Sequence, residues 1–175
     1  MITATEYLAA EEKYFSLSDK EIEKLAKESA EEQPAIFVYI AANYENLEDE
    51  DNKEFFLQLV YSTWLAYKHK YRFKRKLSIE EIEKQDEADE KLLNEFSVNE
   101  EAMVEEAVKR LTNHPQSQLI GHLYTLIGDF FRLDQYPDNL NEMTEGYDPE
   151  SGIISGVINS FVSLLEKARN PLSAV

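Results

Sequence analysis

The chain has 175 residues, 43% of them hydrophobic and 11% aromatic, with 35 acids against 18 Lys and Arg and a formal net charge of −17. That is enough apolar material for a folded core, and the charge argues against bulk nucleic acid or an anionic membrane surface as a partner. Cysteine is absent, which excludes disulfides, thiolate catalysis and Cys-based metal sites and suits a reducing compartment.

The N-terminal stretch MITATEYLAAEEKYF lacks the positive and apolar regions of a secretory signal. The longest apolar run, AIFVYIAA, is far short of the ~20 residues that span a bilayer as a helix. A cytoplasmic protein without a membrane segment is expected. Pattern reading puts a first helix over 4–15. Ser18 with Glu21 forms a capping box that opens a second over 18–32: the serine accepts from a backbone N–H, and the glutamate reaches back to the serine's own N–H. Pro34 suits the first turn of a third helix, over 34–46. A long helix follows over 52–76, then 79–95 behind the box Ser78/Glu81 and 98–113 behind Ser97/Glu100. Helices over 116–135 and 149–169 complete the set, the last opened by Asp148 and Pro149, with a short candidate at 138–145.

Residues 35–114 contain neither Gly nor Pro, so the frequent turns of a β-rich domain have no breakers to make them. The expected fold class is all-α: a compact single-domain bundle of about seven or eight helices over 1–170, with a short C-terminal tail at 171–175. The segments near 34–46, 52–76, 116–135 and 149–169 are apolar nearly all round and should lie at its centre.

Two features stand out from that background. The stretch YKHKYRFKRKL, residues 67–77, holds six of the 18 bases and no acid, so the rest of the chain carries −17 − 6 = −23. On a helical wheel Lys68, Arg72, Arg75 and Lys76 share a face. They could neutralise the segment 79–106, which has twelve acids and two lysines, or, with Tyr71 stacking, hold an anionic ligand, a nucleic-acid end or an acidic partner. The second feature is the stripe Gln118, His122, Thr125, Asp129 and Arg132, spaced 4, 3, 4, 3 along an apolar helix. It is either a solvent face or the wall of a polar cleft, with His122 as acid–base group, Asp129 beside Arg132, Tyr124 near by and Gln58 or Ser62 opposite. Gly121, Gly128, Gly152 and Gly156 suggest close backbone approach between the helices 116–135 and 149–169.

Motifs for catalysis are missing. None of His69, His114 and His122 has a carboxylate or second histidine three or four residues away, as helical metal sites require. A calcium loop started at Asp49 fails, with Glu54 where glycine should turn and Val60 where glutamate should ligate. There is no Gly-rich phosphate loop and no GxSxG elbow. No catalytic residue, metal or cofactor is therefore assigned. The expected function is a non-enzymatic acidic protein-interaction or regulatory protein, of the immunity or charge-mimic kind, with a basic protein partner. The alternative is a small-molecule-binding protein or enzyme with its polar site on the 116–135 helix. Candidate ligand or partner residues are Lys68, Tyr71, Arg72, Arg75, Lys76, His122, Asp129 and Arg132.

Overall fold

The computed structural model describes residues 1–96, 112–131 and 149–169, and of residues 89–96 the backbone alone. Among these are seven helices and no strand: α1 (Ala4–Phe15), α2 (Asp19–Glu32), α3 (Pro34–Glu45), α4 (Glu50–Lys70), α5 (Ile79–Phe96), α6 (Ser117–Phe130) and α7 (Pro149–Arg169). The chain is an all-α helical bundle. Most of the expected helix at 98–113, the short one at 138–145, the caps at Ser97 and Asp148, Arg132 and the tail at 171–175 lie outside the described residues.

Local chemistry sets the helix starts. At α1 the Glu6 N–H donates to Thr3 Oγ1 at 3.3 Å while Glu6 Oε2 accepts from the Thr3 N–H at 2.8 Å, a capping box built on threonine. The expected box at α2 forms, with the Ser18 N–H donating to Glu21 Oε2 at 2.9 Å. Asp49 opens α4 by accepting from the N–H groups of Asp51 and Asn52 at 2.8 and 3.1 Å, so that helix begins two residues before 52. Pro34 stands at the first position of α3.

Two helix ends come earlier than expected, each for a tertiary reason. α4 stops at Lys70 instead of 76, and Tyr71 takes an extended conformation, φ −129° and ψ 164°. Beyond it the Lys74 N–H donates to the Ala168 carbonyl of α7 at 3.0 Å. The Phe73 ring stacks on Trp64 with centroids 5.0 Å apart. Gln33 then clasps the segment from α2's end, accepting from the Leu77 N–H at 3.2 Å and donating to the Arg75 carbonyl at 2.8 Å. These contacts outweigh the few tenths of a kcal/mol per residue by which helix propensity would extend α4. α6 ends at Phe130 instead of 135, where Phe130 stacks on Phe55 of α4 at 4.0 Å between centroids.

α7 is the hub. It touches α3, α4, α5 and α6, while α1 lies along α4 and reaches α6, and α2 packs on α3. Phe161 of α7 is fully buried and meets Phe37 of α3 edge-on at 6.1 Å, and Phe37 in turn meets Trp64 of α4 at 5.1 Å. Each such ring removed from water stabilises the fold by about 1.5–3 kcal/mol. α3 is less central than its apolar sequence suggests, because Val38 is 63% exposed and Ala41 and Ala42 also face outward. α6 and α7 do pack together, through Ile120, Leu123, Ile127 and Ile158. Three of the four glycines do not mediate this: a Cβ added at Gly121, Gly128 or Gly156 would meet no atom within 4 Å. The expectation of close approach through small residues is therefore corrected, since the larger side chains set the spacing.

Candidate functional site

The basic stretch is not one helical face. With α4 ended at Lys70, residues 71–77 run as a strap in which alternate side chains differ in exposure. Tyr71, Phe73 and Arg75 are half-buried and Leu77 is buried, whereas Arg72, Lys74 and Lys76 are exposed. The cations find partners on three separate helices. Lys68 pairs with Glu32 of α2 at 2.6 Å, Lys70 with Glu6 of α1 at 2.7 Å, and Arg75 with Glu81 of α5 at 2.7 Å. Lys76 donates to the Glu31 carbonyl at 2.7 Å, an interaction favoured by the negative end of the α2 dipole. Among the described residues, only the Arg75 pair joins the strap to the segment 79–106. Arg72 has no recorded partner among the described residues. The Lys70 ammonium, followed by the Thr3 N–H, holds the Glu6 carboxyl down at about 2, and Arg75 does the same in direction for Glu81.

The α6 stripe separates into two parts. Gln118, Thr125 and Asp129 are exposed, and the Thr125 hydroxyl is spent on the Gly121 carbonyl at 3.1 Å. His122 is half-buried and its ring meets Tyr7 of α1 edge-on, centroids 5.3 Å apart. Tyr124 is 38% exposed, and Gln58 donates to Glu11 at 3.0 Å. The stripe on α6 and the basic stretch on α4 and the strap are thus carried by different parts of the bundle.

A polar network that the sequence reading missed lies under the strap. Glu166 of α7 is 1% exposed. Its carboxylate pairs with Arg169 one turn on and accepts from Gln116 Nε2 at 2.9 Å. Tyr67 Oη approaches it at 3.5 Å and the Val162 carbonyl at 3.3 Å. Gln116, fully buried, accepts from the Ile2 N–H at 2.7 Å. The Arg169 guanidinium lies 4.3 Å from the centre of the Tyr71 ring. Burial, then the Glu166 charge, pushes the Tyr67 hydroxyl well up, so it remains a donor. One network therefore ties the first residues, α4, the strap, α6 and α7 together. The available sequence signal was Glu166 with Arg169, a charged pair three apart inside an apolar helix.

His114 and Ser163 sit beside this network and give it the composition of a nucleophilic triad. Its proton placement is wrong for that chemistry. The Gln116 N–H donates to His114 Nδ1 at 3.0 Å, so Nδ1 is an acceptor and the ring proton of the neutral imidazole belongs on Nε2. Nε2, 3.4 Å from Ser163 Oγ, is then the donor. A serine nucleophile needs the opposite arrangement, with a free lone pair facing the hydroxyl and the acid on Nδ1. Burial lowers the His114 pKa, with Glu166 opposing, which keeps the ring neutral.

Between α6 and α7 there is also a shallow apolar cleft, lined by Ile120, Leu123, Tyr124 and Ile158 among others, with an empty volume of about 170 Å³ that includes its open mouth. Among the described residues no three His, Asp or Glu side chains gather as a metal-binding group, and no helix is long and apolar enough to cross a membrane. Compared with protein-family models, with curated proteins and with solved structures, the chain matches none.

Proposed function

We propose that this chain is a non-enzymatic interaction protein that docks a basic partner protein on its acidic surface, in the cytoplasm, where its lack of cysteine is at home. The observation that carries this reading is the internal use of its cations. Lys68, Lys70 and Arg75 are committed to Glu32, Glu6 and Glu81, so half of the six bases in 67–77 are spent on single neighbours, and within the strap only Arg72, Lys74 and Lys76 are exposed. At the corner between α3 and α4, Glu45, Glu48, Glu50, Asp51 and Glu54 are exposed, and the neighbouring Lys53 is already paired with Glu50 at 2.8 Å. A field of this kind speeds encounter with a positive partner and weakens with salt. The proton arrangement at His114 further favours binding over hydrolysis. A small-molecule site on α6 has less behind it, because Gln118, Thr125 and Asp129 face outward rather than gathering about a cavity.

The test is retention of a basic protein from lysate by the immobilised chain at about 50 mM salt, with release as the Debye length shortens at about 0.3 M. The variant Glu48→Gln/Glu50→Gln/Asp51→Asn/Glu54→Gln should weaken that partner's binding by on the order of tenfold. Equal binding by parent and variant, or retention indifferent to salt, counts against the reading.

A further inference from the structure

Three polar side chains from α1, α4 and α6 meet in the interior without satisfying one another. Tyr7 and Ser62 have no exposed surface. The Ser62 hydroxyl lies within reach of the Tyr7 hydroxyl, but no hydrogen bond of full geometry joins them. The His122 ring packs edge-on against the Tyr7 ring, with centroids 5.3 Å apart. Tyr7 Oη, Ser62 Oγ and His122 Nε2 are all buried atoms with no hydrogen-bond partner among the described residues.

This is an unusual concentration of unmet polarity. A buried donor or acceptor without a partner is costly, because its desolvation is not offset, and native interiors contain few of them. Helical serine commonly bonds back to the carbonyl four residues earlier, yet Ser62 does not. Burial, and then the charge of Glu11, holds the Tyr7 hydroxyl protonated, so it offers a neutral O–H. What would satisfy the seam is one small molecule that both donates and accepts. An anion would be opposed by Glu11, whose carboxylate is in turn engaged by Gln58. A cation would need an acceptor carboxylate within the seam, and the three groups supply none. Voids in a close-packed interior seldom exceed the size of a water molecule, and Tyr7 and Ser62 are both fully buried.

We propose that Tyr7, Ser62 and His122 form a sealed site for one water molecule, which bridges α1 to both α4 and α6. With two to four hydrogen bonds available it would be held as part of the fold. A crystal structure of the full chain at about 1.5 Å resolution tests this: one solvent peak should lie within about 2.6–3.2 Å of at least two of Tyr7 Oη, Ser62 Oγ and His122 Nε2. Tyr7→Phe, which keeps the ring against His122, should lose the peak or its full occupancy; should that variant fail to fold, Ser62→Ala carries the same expectation. A direct hydrogen bond between any two of the three groups with no solvent peak overturns the proposal. So does a peak that survives both substitutions unchanged.

Discussion

Glu166 joins three polar groups in the interior through one carboxylate. Its carboxylate answers Arg169, Gln116 and Tyr67 at once, and it is almost inaccessible to water. Such a pair is weak evidence of net stabilisation, since two charges had to be desolvated to make it, but removing one partner strands the other. Glu166→Ala should therefore lower the unfolding free energy by about 3–5 kcal/mol in urea titrations. Replacing Glu166 and Arg169 together by Leu should cost much less. A larger loss in the double variant than in the single would show that the pair contributes favourably in its own right. The glycines give the opposite sign. With open space around their Cα atoms, Gly121→Ala and Gly156→Ala should each raise stability by roughly 0.5–1 kcal/mol, because alanine loses less chain entropy in a helix. Destabilisation by either would restore the idea of close helix approach.

At the scale of elements, the strap explains where sequence reasoning succeeded and where it did not. Helix starts were legible at Ser18, Pro34 and Ser78, because capping is decided within four residues. The end of α4 was not, because Ala168, Gln33 and Trp64 hold the strap from positions far away in sequence. A signal was present all the same. Tyr71, Phe73 and Leu77 alternate with Arg72, Lys74 and Lys76, the period of an extended segment, and a helical wheel conceals it. Of the candidate residues, Lys68, Arg75 and Lys76 have partners on other helices, and no local spacing could have named them. The search for histidine partners failed in the same way, since Ser163 and Glu166 lie on α7. Charge substitutions should separate the cations paired across helices from Arg72 and Lys74. Lys68→Gln, Lys70→Gln and Arg75→Gln should each lower the melting temperature at low salt, by the equivalent of about 0.2–1 kcal/mol. Arg72→Gln and Lys74→Gln should leave it unchanged or slightly different, and an equal loss in both groups would mean that the bridges contribute no more than net charge.

For the molecule as a whole, acid should be the weak side of its stability curve. His114 has a folded pKa below its ordinary 6.5, so below that pH the unfolded chain takes up the proton first and stability falls. Glu6, lowered from 4.5 to about 2 by Lys70 and Thr3, contributes fully above 4.5, and its contribution disappears as the pH drops toward 2. Glu21, Glu80 and Glu81 are shifted in the same direction by their hydrogen bonds. Denaturation midpoints measured from pH 7 downward should decline in two stages, the first beginning near 6.5 and the second below 4.5. His114→Gln should flatten the first and Glu6→Gln the second. Unchanged slopes in those variants would show that other groups govern the acid response.

The position of α7 also bears on how the chain is made. Synthesis delivers α1 to α4 long before residues 149–169 emerge, yet Phe161 and Ala168 supply the surface against which Phe37 packs and the strap is tied. α1 can close on α4 and α2 on α3 before then, but the faces of α3 and α4 that meet α7 have nothing to pack against, and partly made chains with exposed apolar surface tend to associate. The dense negative charge of the first hundred residues would keep neighbouring nascent chains apart during that interval. On this view the acidity has a use before any partner is met: it guards a core whose keystone arrives late.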